Sequence, residues 1–162
     1  MACQNPQIGT NLAELTQEAM RILSKNREGF ILLVEGSQID WAAHDQDHEE
    51  IIAEMIDFDG AVGTGLDFAQ KHGNTLILVT ADHETGGLTL KSDDFGDLKT
   101  KWTTGGHTDT QVPIFAYGPG AEQFAGTLDN TDIPKRLAEL TGIETFPLPS
   151  KLELTAVQLS KD

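Results

Sequence analysis

Two kinds of apolar pattern alternate along the chain. In the first kind, apolar residues recur every three or four positions, which predicts amphipathic helices beginning near Asn11, near Ser37 and at about Asp47. The longest of these helices extends to about residue 71 and ends at Gly73, a typical C-terminal glycine. The second kind is a continuous apolar run, seen in GFILLVEG and NTLILVTADH. Such runs are typical of strands that are buried on both faces of a sheet.

The second half of the chain continues this alternation. GLTL predicts a short strand, residues 91–106 a loop, and QVPIFAYGPG a further strand with a turn. Thr131 and Pro134 begin a last helix that Gly142 ends, and residues 143–162 form a tail. Alternating strands and helices predict one α/β domain over residues 1–162, with a mainly parallel sheet flanked by helices. In such sheets a ligand site lies beyond the carboxyl ends of the strands.

Charge and composition limit the classes of partner. The chain has 162 residues and a formal net charge of -15, which argues against binding to nucleic acid. An anionic substrate would also be repelled unless bound cations reverse the sign of the local charge. The lone Cys3 excludes an internal disulfide, and no apolar stretch is long enough to cross a membrane. The first residues lack the basic start and apolar core of a signal peptide.

Metal-ligating residue types gather where the predicted strands begin and end. The six residues of this kind are Glu35, Asp40, His44, Asp82, His83 and His107. Carboxylates and imidazoles without cysteine suit Zn²⁺, Mg²⁺ or Mn²⁺ better than a structural zinc finger. Asp40 and His44 are four positions apart, so on a helix they share one face and can reach one metal. Each element alone is more often structural, but together they predict a metal centre.

The motifs around these residues resemble those of the alkaline phosphatase family. VEGSQIDWAAH has the family's E-x4-D-x3-H spacing, VTADHETGG resembles its Asp-His segment, and GGHTDTQVPIFAYGPGA resembles its third segment. The resemblance extends from about Leu12 to Gly142. It implies an alkaline-phosphatase-like fold, hydrolysis of phosphate monoesters through a phosphoserine intermediate, a homo-oligomer, and a periplasmic or extracellular location.

The resemblance also implies a role for each candidate residue. It implies that the first zinc is held by Asp40, His44 and His107. It implies that the second zinc is held by Asp82 and His83, and that Glu35 ligates a magnesium ion. Trp41 occupies a position that faces the mouth of the active site in the family, although an indole packed on the helix surface is an equally good interpretation.

Parts of the family's machinery are missing from this sequence. No Asp-Ser pair occurs, so the family's nucleophile has no counterpart among the serines Ser24, Ser37, Ser92, Ser150 and Ser160. No arginine stands where a phosphate clamp would be expected. We therefore expect a C-terminal segment that is inactive alone and has the N-terminal portion of the same enzyme as its partner. Two alternatives stay open: a related metal-dependent phosphodiesterase or phosphomutase, and a non-catalytic zinc-binding domain.

Overall fold

The computed structural model describes residues 11–92, 98–143 and 146. The chain divides into two compact units, Met1–Ala121 and Glu122–Asp162, and the sequence-based expectation of a single domain stays a prediction. The helices are α1 (Leu12–Leu23), α2 (Gln38–His44), α3 (His48–His72) and α4 (Asp132–Thr141), with a 3-10 turn at Ala121–Phe124. The strands are β1 (Ile77–Val79), β2 (Glu84–Thr85), β3 (Thr89–Ser92), β4 (Leu98–Lys101), β5 (His107–Thr108) and β6 (Phe115–Tyr117).

The helix termini follow the local chemistry of the sequence. The Asn11 side chain accepts a hydrogen bond of 2.8 Å from the Glu14 amide, which caps α1. Asp47 caps α3 through the amides of Glu49 and Glu50, both at 3.0 Å. Gly73 ends α3 in the left-handed conformation, with φ 72°. The prediction of α1 and α3 is thus confirmed, whereas Ser37 makes no side-chain capping bond at the start of α2.

In the first unit, α3 is the element against which the others pack. Both α1 and α2 contact it, and β1 lies beside it. The buried side chains at these helix surfaces are mostly small, namely Ala42, Ala43, Ala61 and Ala69 together with Met20. In the second unit, Ala138 and Phe124 are buried and Arg136 bonds the carbonyl of Gln123. None of the helices in the described residues has the length and apolar character required to cross a bilayer.

The strands of the described residues differ from the predicted sheet. They form three two-stranded pairs, β1 with β6, β2 with β5 and β3 with β4, and every pair is antiparallel. The mainly parallel sheet is therefore not confirmed. The predicted loop over residues 91–106 is also wrong in part, because it contains β4, which pairs with β3.

The prediction of a buried strand over residues 29–36 is wrong within the described part of the chain. This segment has no assigned strand. A strand exists only where a second strand accepts and donates its backbone hydrogen bonds, and no described residue forms such a ladder with it. The segment lies along α3 instead, where the Phe30 and Phe68 rings are 6.1 Å apart. Alternate apolar side chains of the segment remain in contact with solvent, since Ile31 is 71% and Leu33 90% exposed.

A second apolar surface lies between α3 and the β1–β6 pair. It forms an open groove of about 380 Å³ whose lining includes Met55, Val62, Leu66, Ile77 and Phe115. Ile56, next to Met55 on α3, is 68% exposed. Contiguous apolar surface of this kind marks a place where a protein binds another protein or a further part of itself.

We predict that the isolated chain self-associates through these two apolar surfaces, the segment at residues 29–36 and the groove beside α3. Leu33→Lys and Ile56→Lys should each shift the chain toward the monomer, because a charged side chain cannot be buried at an apolar contact without a partner. Size-exclusion chromatography with light scattering over a range of concentrations measures the change. Gln17→Lys is the matched control, since it adds the same charge at an exposed position of α1. A wild-type chain that stays monomeric at every concentration would contradict the prediction.

Candidate metal centre

Three of the predicted ligands converge on one point. Asp40, His44 and His107 each present a ligand atom, and these atoms lie within 4.8 Å of one another. His44 Nε2 is 3.1 Å from His107 Nε2 and 3.4 Å from Asp40 Oδ2. His107 Nε2 is 3.5 Å from Asp40 Oδ1. The arrangement thus places two imidazole nitrogens and a carboxylate around one small space.

These separations fit a tetrahedral cation. With metal–ligand bonds of about 2.0–2.1 Å, two ligands of a tetrahedral zinc ion stand roughly 3.3–3.4 Å apart. The two imidazole nitrogens are 3.1 Å apart, and each lies 3.4 or 3.5 Å from one of the two Asp40 carboxylate oxygens, Oδ2 for His44 and Oδ1 for His107, which is close to that value. Three such ligands leave a fourth position open, as catalytic zinc sites do. The residues present therefore suit a zinc ion.

Local structure explains why these side chains meet. Asp40 and His44 are one turn apart on α2, and His107 begins β5, which pairs with β2 opposite Thr85. His44 Nδ1 lies 2.7 Å from the carbonyl oxygen of Gly105. A carbonyl only accepts, so Nδ1 carries the hydrogen and, in the neutral ring, Nε2 keeps the lone pair that a metal needs.

Thr85 holds Asp40 in its charged form. Its hydroxyl donates a hydrogen bond of 2.6 Å to Asp40 Oδ1. This bond is the main reason that the pKa of Asp40 lies below its ordinary value. The positive charges that His44, His107 and His83 can carry lower this pKa further, and the slight burial of the group opposes them. Asp40 therefore remains an anion over the whole range in which a histidine ligand is neutral.

A second pair of predicted ligands lies next to the first group. The His83 ring stacks on the His107 ring with 3.6 Å between their centroids. His83 Nδ1 is 3.2 Å from the Thr85 hydroxyl, whose hydrogen is engaged by Asp40, so Nδ1 is the donor there. Nε2 of the neutral His83 ring then faces Asp82 Oδ2 at 3.1 Å. Two acceptors this close share either a proton or a cation.

The remaining predicted residues are more exposed. Glu35 is exposed and does not belong to the three-residue group that the structure gathers. The Asp82 side chain is 86% exposed, and within the described residues it has His83 beside it. Trp41 is 66% exposed on α2, directly after Asp40. Its role at the mouth of an active site stays a prediction.

Sequence patterns did not indicate every residue around the centre. Thr85 was missed, because its bonds to Asp40 and His83 depend on the tertiary contact between β2 and α2. His48 is exposed, and its ring contacts Thr100 and Trp102. Its position four residues after His44 was the one signal available. Trp102, which precedes His107 by five residues, lies against Gly86.

We predict that Thr85→Val destabilises the metal-free chain in a pH-dependent way. The folded-state pKa of Asp40 is depressed, so its contribution to stability is present above the unfolded value of about 3.9 and is lost as pH falls through the folded pKa. The variant should lose roughly 1 kcal/mol at pH 5–7. The difference from wild type should shrink as the pH falls below the unfolded value and through the lower folded-state pKa. Urea unfolding with a chelator present measures it.

The control for this experiment is Thr64→Val, which removes a hydroxyl that bonds the carbonyl of Gly60 within α3. No carboxylate takes part in that bond, so its loss should not depend on pH in this range. A constant difference between Thr85→Val and wild type from pH 2.5 to pH 7 would contradict the assigned role of Thr85.

Comparison with known proteins identifies the family of this chain. A family model described as alkaline phosphatase matches residues 3–98 and 97–143. Alkaline phosphatase 3 of Bacillus subtilis (strain 168) is 32% identical over 199 residues, covering 78% of this chain and 43% of the relative. Alkaline phosphatase of Escherichia coli (strain K12) is 39% identical over 140 residues, covering 75% of this chain and 30% of the relative.

Solved structures give the same result. Alkaline phosphatase from the Antarctic bacterium TAB5 aligns with a TM-score of 0.78 at 43% identity, covering 81% of this chain and 41% of that one. A mutant of that enzyme with magnesium bound aligns with a TM-score of 0.78 at 42% identity. The chain spans less than half the length of these relatives. It has an alkaline-phosphatase-like fold, and it belongs to the alkaline phosphatase family.

Proposed function

We propose that this chain forms the zinc-binding part of an alkaline phosphatase that hydrolyses phosphate monoesters. The observation that carries the proposal is the convergence of Asp40, His44 and His107, with separations that suit one zinc ion, in a member of this family. In the proposed assignment these three residues hold the first zinc. Asp82 and His83, which lie next to them through the stacked ring of His107, hold the second zinc.

Magnesium is the third proposed ion, with Glu35 as its ligand from this chain. Glu35 follows the apolar segment and precedes the turn into α2, so it stands at the same end of α2 as Asp40. Carboxylate oxygen is the ligand type that magnesium prefers. A mutant of a structural relative is described with magnesium bound, which supports magnesium as the third ion of the proposed enzyme.

The residues of this chain contribute ligands and orientation to the proposed reaction. When bound, the two zinc ions would stabilise the attacking and leaving oxygens of the transferred phosphoryl group. Thr85 keeps Asp40 anionic, and the carbonyl of Gly105 fixes the His44 tautomer that presents a lone pair. Trp41 would stand at the mouth, where its exposed indole can contact the organic part of a monoester.

The chain does not supply everything that phosphoryl transfer requires. A nucleophile in line with the leaving group and a cationic clamp on the phosphoryl oxygens are both needed. We propose that the N-terminal portion of the same enzyme brings them and packs on the apolar surface at residues 29–36 and in the groove beside α3. We also propose a homo-oligomer in the periplasm or outside the cell, in keeping with the family.

Zinc binding tests the proposed first site. The chain should bind one zinc ion with clear preference, since only this site has three ligands from the described residues. His107→Ala should raise the zinc dissociation constant by more than the 10–100-fold typical of outer-shell partners. Competition against a fluorescent chelator measures the constant. His72→Ala is the matched control, because His72 lies at the far end of α3.

The same titration separates the two proposed zinc sites. Asp82→Asn should leave the tight equivalent of zinc in place and weaken a second, weaker equivalent. If Asp82→Asn and His107→Ala were instead to abolish the same tight binding, the assignment of these residues to different sites would be wrong.

Phosphatase turnover tests the proposal that this chain supplies metal ligands while the N-terminal portion supplies the nucleophile and the cationic clamp. The purified chain with added zinc and magnesium should hydrolyse p-nitrophenyl phosphate at alkaline pH no faster than zinc alone does. The reason is that the loss of positioning and of charge stabilisation each remove several powers of ten in rate. Robust activity that His107→Ala abolishes would show that a nucleophile exists within this chain. Tight zinc binding without turnover also fits a non-catalytic zinc-binding domain, which restoration of activity by an N-terminal portion would exclude.

A further inference from the structure

We propose that Gln46 is a positioning residue that fixes the segment carrying His107 at the metal centre. Gln46 lies in the turn between α2 and α3. The segment concerned is residues 100–106, the end of β4 and the connection to His107, which we call the ligand loop. The inference rests on the proposed zinc site and adds to it a residue that touches neither metal nor substrate.

The backbone of Gln46 is unusual for its residue type. Its φ is 56°, and among the described residues it is the sole non-glycine with a positive φ. The turn requires this conformation: the Gln46 amide donates to the Ala43 carbonyl at 3.2 Å and the Asp47 amide to the Ala42 carbonyl at 2.9 Å. Glycine is the residue that adopts this conformation without strain. A glutamine here therefore calls for an explanation through its side chain.

The Gln46 side chain contacts the ligand loop directly. Its Nε2 donates a hydrogen bond of 3.0 Å to the carbonyl of Thr104. His44, two residues earlier, contacts the next carbonyl, that of Gly105, at 2.7 Å. The carbonyls of Thr104 and Gly105, immediately before His107, are thus both bound by side chains at the end of α2 and in the turn that follows it. The bond from Gln46 prevents this stretch from rotating away from His44.

His48 and Gly86 hold the rest of the ligand loop. The Thr100 hydroxyl is 2.8 Å from Nε2 of His48, and the Trp102 ring lies 5.5 Å from the His48 ring. On the other side, the Gly86 carbonyl accepts bonds from the amides of Thr103 and Thr104 at 3.0 and 3.2 Å. The loop is therefore held between β2 and the α2–α3 turn. On the side of the turn, Gln46 holds the Thr104 carbonyl, directly before the Gly105 carbonyl that His44 contacts.

Two substitutions separate this role from a purely structural one. Gln46→Gly removes the amide and also removes the backbone strain, so its melting temperature should equal or exceed that of wild type. Gln46→Met keeps the length of the side chain and the strain but has no donor. Both variants should raise the zinc dissociation constant by about 10-fold, the lower end of the range for outer-shell partners.

The measurements use the full chain, with zinc alone as the probe, in chelator competition and thermal unfolding. A weaker zinc affinity in both variants, together with an undiminished melting temperature in Gln46→Gly, supports the proposal. A zinc dissociation constant within twofold of wild type in either variant overturns it. So does a loss of affinity in Gln46→Gly that is accompanied by a lower melting temperature, because the turn alone would then explain it.

Hydrogen exchange provides a test that needs no metal. In the metal-free chain, both variants should increase the exchange rate of the Thr103 and Thr104 amides several-fold, while the amides of α1 exchange as in wild type. Unchanged exchange in the loop overturns the proposal. If the wild-type chain binds no zinc at all, the proposed zinc site is wrong, and the exchange result alone decides whether Gln46 holds the loop.

Discussion

The hydrogen bond from the Thr85 hydroxyl to the Asp40 carboxylate is the interaction on which the candidate centre depends. It joins β2 to α2, and β2 is the strand that pairs with β5, where His107 begins. The two halves of the ligand set, one from a helix and one from a short strand, are therefore joined by this polar contact, and the bonds of His44 and Gln46 to the carbonyls before His107 add to it. The same hydrogen bond lowers the pKa of Asp40, so it contributes both to the position of this carboxylate and to its negative charge.

The groups around this bond are carboxylates and imidazoles, which offer lone pairs, and not pairs of oppositely charged side chains. Asp40, His44, His107, His83 and Asp82 all lie within one neighbourhood of a chain whose net charge is -15. The described residues bring no lysine or arginine ion pair to this group. Such an arrangement is stabilised by a proton or a metal ion and strained without either. The folded chain is in this sense already adapted to a cation.

Sequence reasoning succeeded where the information is local. Asn11, Asp47 and Gly73 act on backbone groups within a few residues of themselves, so the ends of α1 and α3 were predictable. The pairing of Asp40 with His44 followed from helical periodicity, and the family resemblance added His107.

The strands were predicted less well, because a strand is defined by its partner. The apolar run at residues 29–36 has none among the described residues. Thr85 and Gln46 contact residues 45 and 58 positions away, and no local pattern encodes such contacts.

The position of Gly86 beneath Trp102 has a further consequence. A Cβ at residue 86 would come within 2.5 Å of the indole, so the ring can lie on the backbone only because this residue is glycine. The chain has two tryptophans, and the other one, Trp41, is largely exposed. Trp41 faces water beside Asp40, whereas Trp102 is half-buried between a glycine and an imidazole, so Trp102 should emit at the shorter wavelength. A change on the short-wavelength side of the emission should therefore report on the ligand loop beside the candidate metal centre.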